Sequence, residues 1–190
     1  MTNQNLKSTT EVKDNIFDTK YLVDMFEQLN HADFRANNLA NRSTWPLGLA
    51  GATHRIFSCN IFHRFTRHLV KHNIDFSLVE MYVKMYEHLE KVFKLKQPTV
   101  LHSINVNLQF KEMDGTWHRD NCPKGILFMV GEEGEGGEFI IKKDNKEEKV
   151  SFKNGRVIYF DPTIEHKGLS FKDAYKPRYT VQFLFTEEAI

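Results

Sequence analysis

The sequence has little cysteine, little proline and no long apolar run. Two cysteines among 190 residues, Cys59 and Cys122, stand far apart without a Cys-x-x-Cys pair, which suits a reducing cytoplasm over an oxidising compartment. No stretch is apolar enough to span a membrane, and the polar segment Met1 to Asn15 has no hydrophobic core of a signal peptide. A net charge of +1 argues against a dedicated nucleic-acid binder, since the one basic cluster, Arg64, Arg67 and Lys71, has no matching array elsewhere. His63, His68 and His72 are interleaved with it, and although the last two are spaced i, i+4, the segment reads as a solvated helix face rather than a metal site. No Pro/Gly/Ser-rich linker and no internal repeat divide the chain.

What is present suffices for one core. The chain is 41% hydrophobic and contains sixteen Phe. Residues 1–15 are expected to form a flexible leader to a single domain over 16–190, with helical support over 16–97 and a β core over 98–187. Residues 19 to 30 and 75 to 96 space their apolar side chains by three and four, the latter through Leu78, Val79, Tyr82, Met85, Tyr86, Leu89 and Phe93. Asp75 and Ser77 offer helix-start chemistry. Between these helices, Asn37 to His63 reads as irregular and carries Arg42, Trp45, Pro46, His54 and Arg55, groups suited to touching a substrate. The loop Lys111 to Trp117 is the other candidate wall.

After about residue 97 the pattern changes from helical to strand-like. Leu101 to Phe110 alternates, Gly125 to Val130 is a short apolar run, and Gly137 to Ile141 follows a Gly-rich acidic loop that reads either as a mobile rim or as a plain hairpin turn. Val150 to Phe152 leads into Asn154-Gly155, a hairpin signal, and then come Arg156 to Phe160 and Tyr179 to Phe185. Seven or so short strands with close turn punctuation predict a sandwich or jelly roll.

Within this β region stands His118-Arg119-Asp120, followed 46 residues after Asp120 by His166 and twelve later by Arg178. A His-x-Asp triplet arises by chance about once in every two chains of this composition. The chain has a second, His31-Ala32-Asp33, but it follows a helical pattern in which i and i+2 do not share a face, so it reads as a helix end or loop. In an extended segment His118 and Asp120 project to the same side. Two imidazoles and one carboxylate on one face of an octahedral Fe(II) leave three positions open for a bidentate co-substrate and dioxygen. Cys122, two residues beyond Asp120, reads as a small structural residue, with proximity to the metal as the alternative.

Residues 100 to 187 resemble the Fe(II)- and 2-oxoglutarate-dependent dioxygenase superfamily, and within it the prolyl-4-hydroxylase-type branch. The matching elements are His118-Arg119-Asp120, Gly136-Gly137-Glu138-Phe139, the run Val157 to Pro162 before His166, and Arg178 with Thr180. The resemblance implies an α+β fold, a double-stranded β-helix (jelly roll) with supporting N-terminal helices. It implies His118, Asp120 and His166 as catalytic metal ligands, with Arg178 as the partner of the far carboxylate of 2-oxoglutarate. A guanidinium suits that role, since it offers a planar fork and stays charged when desolvated. Thr180 lies on the same strand face and its hydroxyl suits the same carboxylate.

The family's usual Tyr before His-x-Asp is missing. Asn105, Asn107 and Gln109 alternate there instead, which on its own reads as a solvent face. Nucleic-acid demethylases of the superfamily use an Asn about eleven positions before the first His, where Asn107 falls, so Asn107 or Gln109 is the expected co-substrate contact. The implied reaction is hydroxylation of an unactivated C–H bond, using Fe(II), 2-oxoglutarate and O2, with ascorbate as a candidate reductant and with release of succinate and CO2. The expected substrate is a prolyl residue of a peptide or protein. A small molecule such as a free amino acid is the alternative, and a non-catalytic jelly-roll binding module the remote one.

Overall fold

The computed structural model describes residues 10–37, 56–63 and 76–187. Its elements, in order, are β1 (Thr10–Lys13), α1 (Thr19–Asn30), β2 (Arg35–Asn37), β3 (Ile56–His63), α2 (Phe76–Val92), β4 (Thr99–Gln109), β5 (Lys124–Val130), β6 (Phe139–Lys143), β7 (Lys146–Val150), β8 (Val157–Phe160), β9 (Glu165–Gly168) and β10 (Arg178–Glu187). Seven strands form an antiparallel sheet in the order β1-β8-β5-β10-β4-β3-β2, and three form a second, β7-β6-β9. This is the jelly roll with N-terminal helical support expected from the sequence. No described helix is long and apolar enough to cross a membrane.

Strand alternation divides the large sheet between two environments. On one face, Ile104, Val106, Ile126, Phe128, Val181, Phe183 and Phe185 are fully buried and pack with Tyr82, Met85, Tyr86 and Leu89 of α2 and Met25 and Leu29 of α1. Each such side chain contributes about 1.5–3 kcal/mol by leaving water. On the other face, Leu127, Met129, Ile158 and Phe160 meet Phe139, Ile141 and Val150 of the small sheet and Phe152 just beyond β7. Buried on both faces, β5 reads as the continuous apolar run Gly125 to Val130. Under β10 and β4 the inner face turns polar, and there the sandwich opens into a cavity.

The helices begin and end where local chemistry directs. Asp18 Oδ1 accepts the Tyr21 N–H at 2.7 Å and caps α1. His31 is the C-cap of that helix, so His31-Ala32-Asp33 lies at a helix end. α2 stops at Val92, short of the expected 96, and Lys94 adopts φ +51° just beyond it. Asp75 lies outside the described residues, as do Arg42, Trp45, Pro46, His54, Arg55, Arg64, Arg67, His68, Lys71 and His72.

Three expectations change. Asn37 to His63 is not wholly irregular, because Ile56–His63 forms β3, whose Ser58 and Asn60 obscured the alternation by pairing with Asn107 and Asn105 on a polar face. Asn154-Gly155 makes a turn but no hairpin. Gly155 takes φ +80°, its N–H donates to Met129 O at 2.9 Å, and the chain passes from β7 in the small sheet to β8 in the large one. The hairpin between β6 and β7 turns instead at Asp144-Asn145, both with positive φ. The Gly131 to Gly137 loop likewise crosses between sheets, and it is tied down: Lys172 pairs with Glu135, Lys176 Nζ donates to Glu133 O, and Gly137 N–H donates to Ser170 O.

The third change concerns the leader. Thr10–Lys13 is a strand paired with β8, and Asp14 beyond it accepts from Arg156 Nε and Nη2 at 2.9 Å and from Lys153 Nζ at 3.1 Å. The hydrogen bond from Arg156 leads in holding the Asp14 carboxyl down at about 2. A depressed carboxyl stabilises the fold above its unfolded pKa of roughly 4 and loses that contribution as pH falls toward the folded value. Asp14→Asn is therefore expected to lower stability by about 1 kcal/mol at pH 7, measured by urea denaturation. The difference from wild type should fade between about pH 4 and pH 2.

Candidate metal centre

His118 and His166 are built by the same local device. In each, Nδ1–H donates to the carbonyl two residues earlier, Thr116 O and Ile164 O respectively, at 2.8 Å. That bond fixes the tautomer and makes Nε2 of each ring the candidate ligand atom. The backbones of the two residues form an antiparallel bridge, His118 N–H to His166 O at 3.1 Å and His166 N–H to His118 O at 3.0 Å. Residues 115–120 thus run beside β9 as an irregular extra strand, secured also by Gly115 N–H to Gly168 O and Asp120 N–H to Pro162 O.

The bridge sets the ring centroids 4.4 Å apart, with Phe139 and Phe160 packed against His166. Ligand atoms of His118, Asp120 and His166 all lie within 4.8 Å of one another. His166 is 3% exposed, and its Nε2 has no hydrogen-bond partner, the nearest Asp120 oxygen being 3.6 Å away. A buried imidazole nitrogen left unpaired costs about 1–3 kcal/mol unless something binds it. Two nitrogen donors and a carboxylate fit a divalent iron, so the residues suit the metal the family resemblance implies.

Electrostatics prepare the same cluster. Burial, then the neighbouring His166, pushes the His118 pKa down and favours the neutral imidazole, the form that can ligate a metal. Burial alone would raise that of Asp120; contact with His166 and a hydrogen bond from Gln182 oppose it, and the carboxyl falls below its usual range.

The cavity of about 270 Å³ runs from this cluster to Arg178. Arg178 is 1% exposed. Its Nε donates to Gly137 O at 2.9 Å and its Nη1 to Gln109 Oε1 at 2.6 Å, while Nη2 is buried without a partner. Desolvation lowers its pKa to about 10, so it remains a cation at neutral pH. Gly168 makes room for it: a Cβ there would stand 3.1 Å from Nη1 and 3.2 Å from Nη2. Thr180, paired between Asn107 of β4 and Met129 of β5, is buried on the same strand face.

The alternating amides are not a solvent face. Asn105, Asn107 and Gln109 line the cavity, because the opposite face of β4 is taken by the helices. Gln109 is fully engaged: Nε2 donates to Met113 O and Gly168 O, and Oε1 holds Arg178. Asn107 Oδ1 is buried and unpartnered. Cys122 is not part of the His118, Asp120 and His166 group; its thiol donates to Phe185 O at 3.1 Å. Asp114 of the 111–117 loop accepts from Ser170 N–H and Oγ–H, so that loop is braced against the segment just after β9. Sequence reasoning missed Gln182, which donates to Asp120 Oδ2 at 2.8 Å; its place two residues after Thr180 on the same face was the available signal.

No protein-family model and no curated protein matches the chain. Solved structures do. The chain is similar to an oxidoreductase of the 2OG-Fe(II) oxygenase family from Burkholderia pseudomallei, with TM-score 0.72 and 15% identity over 95% of this chain and 86% of that one. It is similar to a prolyl hydroxylase from Trichoplax adhaerens in complex with a hypoxia inducible factor peptide fragment, with TM-score 0.67 and 13% identity over 94% and 84%. A third is HygX from Streptomyces hygroscopicus, solved with nickel, 2-oxoglutarate and hygromycin B, with TM-score 0.64 and 11% identity over 94% and 83%. The fold is that of the 2OG-Fe(II) oxygenases, and at these identities the likeness carries the fold alone.

Removing the partner of a buried cation tests this arrangement directly. Gln109→Leu leaves Arg178 Nη1 without its acceptor, and the metal-free variant is expected to lose about 2–3 kcal/mol in urea denaturation.

Proposed function

We propose that this chain is an Fe(II)- and 2-oxoglutarate-dependent dioxygenase that hydroxylates an unactivated C–H bond, with a prolyl residue of a peptide or protein as substrate. The observation that carries the reading is a single cavity with a His-Asp-His cluster on one wall and a buried guanidinium with an unused N–H on another. His118, Asp120 and His166 would hold Fe(II), and the ion with 2-oxoglutarate and O2 supplies the oxidising power, releasing succinate and CO2.

The protein's own groups position and exclude. Arg178 receives the far carboxylate through Nη2, and Thr180 supplies a hydroxyl on the same face. Between Asn107 and Gln109, Asn107 is the co-substrate contact, since Gln109's amide is spent on Arg178 and two carbonyls. Phe139, Phe160 and Leu127 close the apolar side of the cavity and keep water from the reacting groups.

A row of amides supports a peptide substrate. Asn60, Asn105 and Gln182 stand opposite one another across β3, β4 and β10, all on the cavity wall. Among the described lining residues, Asp120 and Arg178 are the only ones of the Asp, Glu, Lys and Arg types. A main-chain amide meets both donors and acceptors there, whereas the ammonium of a free amino acid meets no spare carboxylate. The likeness to HygX, solved with hygromycin B, supports the second reading, hydroxylation of a small molecule.

Anaerobic addition of Fe(II) and 2-oxoglutarate to metal-free protein is expected to produce a weak visible charge-transfer band. His166→Ala should abolish it, and Arg178→Ala should weaken it. Absence of the band in folded wild type would sink the proposal. Gly168→Ala, by pushing on the guanidinium, is expected to raise the 2-oxoglutarate concentration for half-maximal band intensity by roughly tenfold or more. With ascorbate present, succinate release should be stimulated by end-capped prolyl peptides; stimulation by free proline instead would move the assignment to a small molecule.

A further inference from the structure

The segment carrying His118 and Asp120 has little regular structure of its own. Its backbone is held by the His118–His166 bridge and by Asp120 N–H to Pro162 O at 2.9 Å. Those bonds fix where Asp120 starts and leave its carboxylate free to turn about the side-chain torsions. One donor from outside removes that freedom. Gln182 Nε2 donates to Asp120 Oδ2 at 2.8 Å, across a separation of 62 residues. A carboxylate only accepts, so an amide in contact at this distance must present its N–H.

Gln182 itself is firmly placed. It lies in β10, hydrogen-bonded on both sides, opposite Asn105 of β4 and Leu127 of β5. Its neighbours Val181 and Phe183 are fully buried on the helix-facing side of the sheet, which sets the side-chain direction of the residue between them. Arg178 projects from the same face four residues earlier. One strand thus carries the guanidinium and the support of a metal ligand.

We propose that Gln182 is a positioning residue, fixing the orientation of the Asp120 carboxylate for the metal; the inference rests on the metal reading above. A neutral amide suits this place. A cation would draw on the charge the metal needs, and a carboxylate would repel Asp120. Supporting groups of this kind typically set metal affinity by 10- to 100-fold.

Co(II) titration of metal-free protein by calorimetry, with the visible Co(II) spectrum as a second readout, tests the proposal without turnover. Gln182→Met keeps the side chain's length and removes the donor, while Gln182→Asn keeps the amide and shortens its reach. Both are expected to bind Co(II) about 10- to 100-fold more weakly and to alter the Co(II) bands, with far-UV circular dichroism unchanged. A folded variant of either kind with wild-type affinity and spectrum overturns the inference. Loss of the fold in both variants overturns it as well, since Gln182 would then serve the fold. Wild-type protein that binds no Co(II) overturns the metal reading instead.

Discussion

Arg178 is a cation held at 1% exposure between two β-sheets, and a desolvated charge persists there only where hydrogen bonds replace its lost water. That requirement organises its surroundings. Gln109 on β4 turns its oxygen to Nη1, and Gly137 at the end of the sheet-to-sheet crossover offers its carbonyl to Nε. Gly168 on β9 gives up a side chain so that the guanidinium fits. The glycines and the glutamine lie in three separate parts of the sequence, and the jelly-roll winding is what brings them to one point. Gln109 in turn holds the Gly168 carbonyl, so the cation and the strand bearing His166 share a support.

From that anchor the site is divided by rigidity. β10 is the middle strand of the seven-stranded sheet, and it presents Arg178, Thr180 and Gln182 in sequence along one face. The candidate metal ligands come from the periphery: His166 from β9 at the edge of the small sheet, His118 and Asp120 from an irregular segment beside it. Backbone bridging between His118 and His166 sets the two imidazoles, while the carboxylate is referenced to the central strand through Gln182. The two sheets are therefore tied together by the Gln182–Asp120 contact and by the cluster of Phe139, Phe152, Phe160 and Phe171, of which Phe139 and Phe160 also pack against His166.

Much of this was legible because strand periodicity and ligand chemistry are local. β4, β5, β8 and β10 announce themselves through apolar residues that pack under the helices, and His-x-Asp is intelligible only where i and i+2 share a side. What was lost is what depends on which face is inside. Asn105, Asn107 and Gln109 look like a wetted edge in one dimension, and they become a cavity wall only when the helices claim the opposite face. β3 escaped notice for the same reason, since Ser58 and Asn60 continue that polar wall. The turn at Asn154-Gly155 was read correctly as a turn and wrongly as a hairpin, because turn chemistry fixes a local reversal and not the sheet that the next strand joins.

The polar wall also carries a cost in stability. His166 Nε2, Asn107 Oδ1 and Arg178 Nη2 are buried, line one cavity and find no hydrogen-bond partner in the protein. At about 1–3 kcal/mol for each neutral group, and more for the charged one, their burdens together rival a large part of an ordinary domain's net stability. A sequence selected for stability alone would fill this space with apolar side chains, as it does a few ångströms away under β5 and β8. The offset comes from the helix-facing side of the same strands, where Tyr82, Leu89, Phe128, Val181, Phe183 and Phe185 are buried at 0% exposure. Alternation along each strand thus puts the bulk of the apolar burial on one face and the cavity on the other, and of the atoms left unpaired in that cavity His166 Nε2 and Arg178 Nη2 are those that a metal ion and a dicarboxylate would satisfy.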